Sequence, residues 1–227
     1  MRVLSKLVVA AIALGTFSTS ASAAVLLASE AGLSTLPGVG AGETMVGDFD
    51  GIANSHFGFT GNVFTHSITN LAAEPAGDTT NFGAAEPASA SQPFTDATFT
   101  ANAGVTLSSL SIDIGSLDTY NTLEFFSGGT LKGTFSGSTL AAALLGVANG
   151  NQVSDLTNGR FYFTFGASDD INKLVFLSTT PAFEFDNIAA KFSAVPEPAT
   201  WTMMILGFGF VGFMLRSSRQ KTVAVIA

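Results

Sequence analysis

The chain has 227 residues, a formal net charge of -8, no cysteine and a mean hydropathy of +0.43. The acidic balance argues against nucleic acid and anionic lipid surfaces as partners, and the lack of cysteine removes disulfides and thiolate metal sites. Between Ala24 and Val195 lie 16 acidic and 4 basic residues together with 17 of the 21 phenylalanines. That is enough chain for one domain with a phenylalanine core.

Met1 to Ala23 opens with Arg2 and Lys6, continues with an apolar run from Leu7 to Phe17, and closes on Ala21-Ser22-Ala23. Residues 1–23 therefore read as a secretory signal peptide cut after Ala23, and the secretion translocon becomes a partner. Ala24 to Thr44, rich in small residues, reads as a loose lead or a first edge strand. Met45 to Gly51 begins the organised part. Phe57 to Phe64 predicts two short strands broken by a turn. Residues 70–93 shift to Ala, Glu, Pro, Gly and Thr, a long surface loop with a turn at Asn81-Phe82-Gly83.

From Ala97 the periodicity is clearer. Leu110, Ile112 and Ile114 alternate with Ser111 and Asp113, which places the apolar residues inward and Asp113 outward. Leu123 to Phe126 and Leu131 to Phe135 flank Ser127-Gly128-Gly129 and predict an antiparallel hairpin. Thr139 to Leu145 allows one or two helical turns. Phe161, Phe163 and Phe165 share a face, and Ile171 to Leu177 suits a central strand. Phe183 and Phe185 are out of phase with Ile188, Ala190 and Phe192, so a β-bulge near Asp186-Asn187 must absorb one residue. Many short strands, Gly and Asn turns and no long amphipathic helix predict an all-β, jelly-roll-like β-sandwich over residues 24–194.

Chemistry-bearing constellations are few. His56 and His66 have no further ligands of their kind, and no Gly-x-Ser-x-Gly elbow or phosphate loop occurs, so no enzyme is expected. Asp48, Asp50, Glu184 and Asp186, with Asn187, would converge on calcium if the first and last strands were neighbours. Asp118, Tyr120 and Asn121 combine hydrogen-bonding groups with an aromatic face and form a candidate glycan site; turn capping is the simpler role for such residues. A glycosidase would need two carboxyls about 5 to 10 Å apart, a separation that sequence does not show.

The C-terminal end is the most distinctive stretch. Pro196-Glu197-Pro198 leads through Trp201 into an uncharged run over residues 199–215, followed by Arg216, Arg219 and Lys221 in a basic stop at 216–221. Such a run predicts a short transmembrane helix at the lower limit for crossing about 30 Å of hydrocarbon. Gly207, Gly209 and Gly212 lower its helix propensity. Residues 222–227 form a short tail.

Pro196, Glu197, Pro198, Trp201, Met203, Met204, Ile205, Gly207, Phe208, Gly209, Gly212, Arg216 and Arg219 together make residues 195–221 resemble the C-terminal sorting signal of bacterial PEP-CTERM proteins, in the variant carrying tryptophan after the Pro-Glu-Pro triplet. Thr202 stands where alanine is usual, and the 222–227 tail extends past the usual end. The body is loosely similar to the subgroup named for a Phe-x-Asp-x-Ala motif. The strict motif is absent: Phe94-Thr95-Asp96-Ala97-Thr98 matches its first two fixed positions but ends on threonine, and Phe185-Asp186-Asn187-Ile188-Ala189 matches its ends with the aspartate one place early. The resemblance implies an exosortase substrate of a Gram-negative bacterium: a membrane-anchored intermediate, held through the C-terminal helix, that is released to the cell surface or biofilm matrix. A structural or adhesive role is expected, or alternatively a carbohydrate-binding β-sandwich recognising exopolysaccharide, supported by calcium. No other cofactor is expected.

Overall fold

In a computed structural model of the chain, the structure describes residues 26–32, 39–51, 56–87, 95–194 and 198–221. The signal-peptide residues 1–23, Pro196, Glu197, Phe94 and the 222–227 tail lie outside the described residues. Among the described residues, twelve strands and two helices follow in order: β1 Leu26–Ala31, β2 Thr44–Gly47, β3 Phe57–Thr60, β4 Asn62–Phe64, β5 Phe82–Ala85, β6 Asp96–Ala101, β7 Val105–Ile114, β8 Asn121–Ser127, β9 Thr130–Ser136, α1 Gly137–Ala143, β10 Gly159–Thr164, β11 Lys173–Ser178, β12 Phe183–Ala194 and α2 Pro198–Lys221.

The strands form two sheets. One runs β1-β10-β7-β12-β5-β4, with β2 also paired to β12, and the other runs β3-β6-β11-β8-β9. The named pairings are antiparallel. Their facing sides supply the core: Ile112, Ile114, Phe161, Phe163, Phe183 and Phe185 from the first sheet meet Phe99, Leu123, Phe125, Leu174 and Phe176 from the second. The Phe176 and Phe185 rings stack across the gap with centroids 4.0 Å apart, and Phe125 meets Phe163 at 4.9 Å. Gly83 lets β5 pair closely with β12, because a Cβ there would collide with the rings of Phe185 and Phe49.

Several local expectations hold. β1 is an edge strand paired only to β10, β3 and β4 flank Gly61, β8 and β9 form the hairpin, and β11 sits centrally between β6 and β8. Ser136 caps α1 by accepting a hydrogen bond from the Thr139 N–H at 3.2 Å, which explains how so short a helix holds. The β7–β12 register shifts between Asp186 and Ala189, with Asn187 at φ 50°, so the bulge falls where the phase change placed it.

Three expectations need correction. The whole-chain picture of an all-β, jelly-roll-like sandwich with a single transmembrane helix gives way to a mixed, two-sheet β-rich fold. Extra strands widen both sheets, α1 is inserted between β9 and β10, and no closed barrel forms among the described residues. The stretch expected as a surface loop at 70–93 contains β5, all four of whose residues are buried, because Phe82, Ala84 and Ala85 are apolar enough to pack. Finally, among the described residues no helix is long and apolar enough to cross a membrane. The uncharged part of α2 from Pro198 to Leu215 rises about 27 Å at about 1.5 Å per residue, against about 30 Å of hydrocarbon. The transmembrane helix at 199–215 is thereby overturned, and with it the membrane-anchored intermediate and membrane association through that helix.

Candidate functional site

β12 alternates Phe183 and Phe185 toward the core with Glu184 and Asp186 toward the opposite face of its sheet. Sequence alternation alone would leave that face in water. Instead the segment Thr65 to Asn81 crosses it, and Glu184 and Asp186 are 2% and 0% exposed. Leu71, Ala72, Phe64, Phe82, Ala84 and Ala182 form a second apolar cluster beneath this cover, and the Phe64 and Phe82 rings stack at 5.6 Å.

Burying carboxyls demands partners. Glu184 accepts from the Ala73 N–H at 3.0 Å and from the Ser116 hydroxyl at 2.6 Å. Asn158 Oδ1 holds the same crossing by accepting from the Ala76 and Ser116 N–H groups at 3.1 and 2.9 Å. Glu86, one residue past β5, is fully buried, and among the described residues neither of its carboxyl oxygens has a hydrogen-bond partner. Burial pushes the carboxyls of Glu184 and Glu86 each up to about 7, and the Glu184 charge contributes to the rise at Glu86.

Farther along, Asp186 accepts from the Thr80 hydroxyl at 3.3 Å and shares a hydrogen bond with Asp78. Two carboxyls in such contact hold one proton between them. Asp186 carries it, pushed up to about 10 by burial and then by Asp78. Burial alone would raise Asp78, but hydrogen bonds from Asp186 and Thr80 hold it below its ordinary value. One strand over, Arg160 is buried and bonds Asp113 at 2.8 Å, the Ser111 hydroxyl at 2.8 Å and the Asn187 carbonyl at 3.0 Å. Desolvation still keeps Asp113 above its ordinary value despite this guanidinium.

A cavity of about 320 Å³ opens beside the first of these groups, with Glu184, Ala73, Leu71, Asn70, Gln152 and Pro181 among its walls. Asp118, Tyr120 and Asn121 do come together next to it, but they are bonded to one another and to the chain. The Tyr120 hydroxyl bonds Asp118 at 2.6 Å and the Pro181 carbonyl at 3.2 Å. Asn121 is fully buried, accepting from the Asp118 N–H at 2.6 Å and donating to the Ala182 carbonyl at 3.1 Å and the Ser178 hydroxyl at 3.3 Å. Burial and the bond to Asp118 raise the Tyr120 hydroxyl well above its ordinary range.

The four acids named for calcium are engaged separately. The Asp48 carboxylate accepts from the Asp50 N–H at 3.2 Å, Asp50 accepts from the Asn81 N–H at 3.0 Å, and Glu184 and Asp186 face the covering segment as described. Among the described residues no group of three or more His, Asp or Glu is placed to hold a metal ion. His56 stacks on Phe192 at 4.8 Å, and His66 pairs with the Thr65 hydroxyl at 3.0 Å.

Sequence reasoning missed Asp78, Glu86, Ser116 and Asn158. The phase of β12 points Glu184 and Asp186 away from the core, but nothing in residues 65–81 announces that they fold over that face. Of the sorting-signal residues, Pro198, Trp201, Gly207, Gly209, Arg216 and Arg219 lie on α2, whose side chains from Thr202 to Arg216 are exposed. A Cβ at Gly207, Gly209 or Gly212 would meet nothing within 4 Å, so packing among the described residues does not require glycine there. Residues 194–220 match the PEP-CTERM protein-sorting motif. Neither a curated protein nor a solved structure matches the chain.

Proposed function

We propose that the protein is exported cargo of an exosortase system, delivered to the cell surface or extracellular matrix, where it serves a structural or adhesive role without catalysis. The observation that carries this reading is the sorting signal at 194–220. The exposed α2 supports it, since its glycines are spared from packing and its side chains are open to a recognising enzyme. A rigid two-sheet body with a phenylalanine core suits a passive matrix component. The test is a triple substitution of Pro196, Glu197 and Pro198 to alanine, followed by fractionation. The variant is expected to be lost from the surface and extracellular fractions while remaining folded inside the cell envelope; undiminished delivery would contradict the proposal.

A second reading, a carbohydrate-binding body, is favoured by the cavity of about 320 Å³ walled by Glu184, Asn70 and Gln152, a size at the lower end of ligand sites. Saturable binding to the host's own exopolysaccharide would support it.

A further inference from the structure

Glu184 and Glu86 present four carboxyl oxygens to which the described residues supply two donors, the Ala73 N–H and the Ser116 hydroxyl, both on Glu184. By continuation of the β5–β12 register, Glu86 falls opposite Ala182 on the same face as Glu184. Arg160, the buried cation of this sheet, is spent on Asp113, Ser111 and Asn187. The pair is therefore short of positive charge, and a proton or an entering cation must make up the difference. Glu184 is also the one charged wall of the open cavity, whose remaining walls mix hydroxyl and amide groups from Ser67, Thr69, Asn70 and Gln152 with apolar Leu71 and Pro181.

We propose that this cavity binds an amino-sugar unit bearing a free primary ammonium, as in a partly deacetylated polysaccharide, with Glu184 taking the ammonium and the rim amides and hydroxyls taking the ring hydroxyls. The volume suits one pyranose ring, and an acidic body draws a cationic polymer. An amine would replace the proton that the pair otherwise holds, so binding strengthens as pH rises to about 7 and weakens again where the ammonium itself loses its proton, at about 8. The groups facing Glu184 electrostatically are Glu86, Asp118 and Tyr120, of which the two carboxyls add to its attraction for a cation. The idea rests on the carbohydrate-binding reading and is independent of sorting. Processed protein at the surface that ignores amino sugars would sink the idea while leaving the sorting proposal intact.

The experiment is a saturation-transfer NMR titration of the purified mature protein with glucosamine, glucose, N-acetylglucosamine and lysine amide, each alone, with calcium titrated separately by calorimetry. Expected is saturable binding of glucosamine at about pH 7.3, where the amine keeps its proton and the carboxyls have begun to lose theirs, weaker by about tenfold or more at pH 5.5, where protons compete for the pair. Glucose and N-acetylglucosamine should bind at least about tenfold more weakly than glucosamine, because neither carries the ammonium. Glu184→Gln should lose the preference for glucosamine. Because that change touches a buried group, Gln152→Arg at the exposed rim provides a second variant and should weaken glucosamine binding through its added charge. Equal binding of N-acetylglucosamine, equal binding of lysine amide, binding of calcium in its place, or no saturation by glucosamine would each overturn the proposal.

Discussion

The two faces of β12 make a natural pair. Phe183 and Phe185 on one side and Glu184 and Asp186 on the other are all nearly or fully buried, yet they are held in opposite ways. On the inner face burial needs only shape, because rings stack and wedge against one another, as Phe185 does with Phe176, Phe99 and Phe49. On the outer face burial calls for polar partners, and those that Glu184 and Asp186 find come from far along the chain, Ala73, Thr80, Asp78 and Ser116, while Glu86 finds none among the described residues. A face built from apolar matter tolerates approximation. A face built from carboxyls depends on individual hydrogen bonds and on pH.

The contrast can be broken from either side. The largest loss should come from Phe185→Ala, which removes a fully buried ring shared by several neighbours and should cost about 3 to 5 kcal/mol in urea unfolding. Asp113→Ala should rival it, at about 3 to 5 kcal/mol, because Arg160 would be left buried without its carboxylate. Pairing Asp113→Leu with Arg160→Met should recover most of that loss, which would show that the cost lies in the stranded charge rather than in the lost bond.

A pH series comes next in size. The unfolded Glu184 and Glu86 release their protons near the ordinary 4.5, whereas the folded carboxyls hold theirs to about 7. Over that window the unfolded state binds fewer protons, so the contribution of these two carboxyls is full below about pH 4.5, falls as pH rises toward 7 and levels off above it, while Asp186, which holds its proton to about 10, extends a shallower fall to higher pH. Each carboxyl should account for about 1 to 3 kcal/mol of the fall. Glu184→Gln should flatten its share of the slope in a Tm-against-pH series; an unchanged slope would show that Glu184 is not protonated in the fold. The smallest effect should be Ser136→Ala at the α1 cap, about 1 kcal/mol by thermal unfolding and without pH dependence.

The same contrast explains what the sequence made legible. The inner face could be read because alternation is local: Leu110, Ile112 and Ile114 or Phe161 and Phe163 announce themselves within a few residues, and the parity break after Phe185 located the bulge. The outer face could not, because its cover is a long-range event. Residues 70–93 have loop composition, yet Phe82 to Ala85 pair with β12 and the preceding segment lies over Glu184 and Asp186. Asp118, Tyr120 and Asn121 were found as a group, but composition did not reveal that their hydrogen-bonding capacity is largely used internally. The sorting signal was legible as a linear motif, since its recognition residues lie next to one another in sequence. Its length was a poorer guide, as the helix there falls short of a membrane span.

The most direct measurement is the intact mass of the protein recovered from the surface and extracellular fractions of a host with and without its exosortase. Expected is a species lacking residues 1–23 and trimmed near Pro196 to Trp201, present only when the enzyme is present. A species extending to Ala227 in both hosts would contradict the claim that the C-terminal motif directs this protein's sorting.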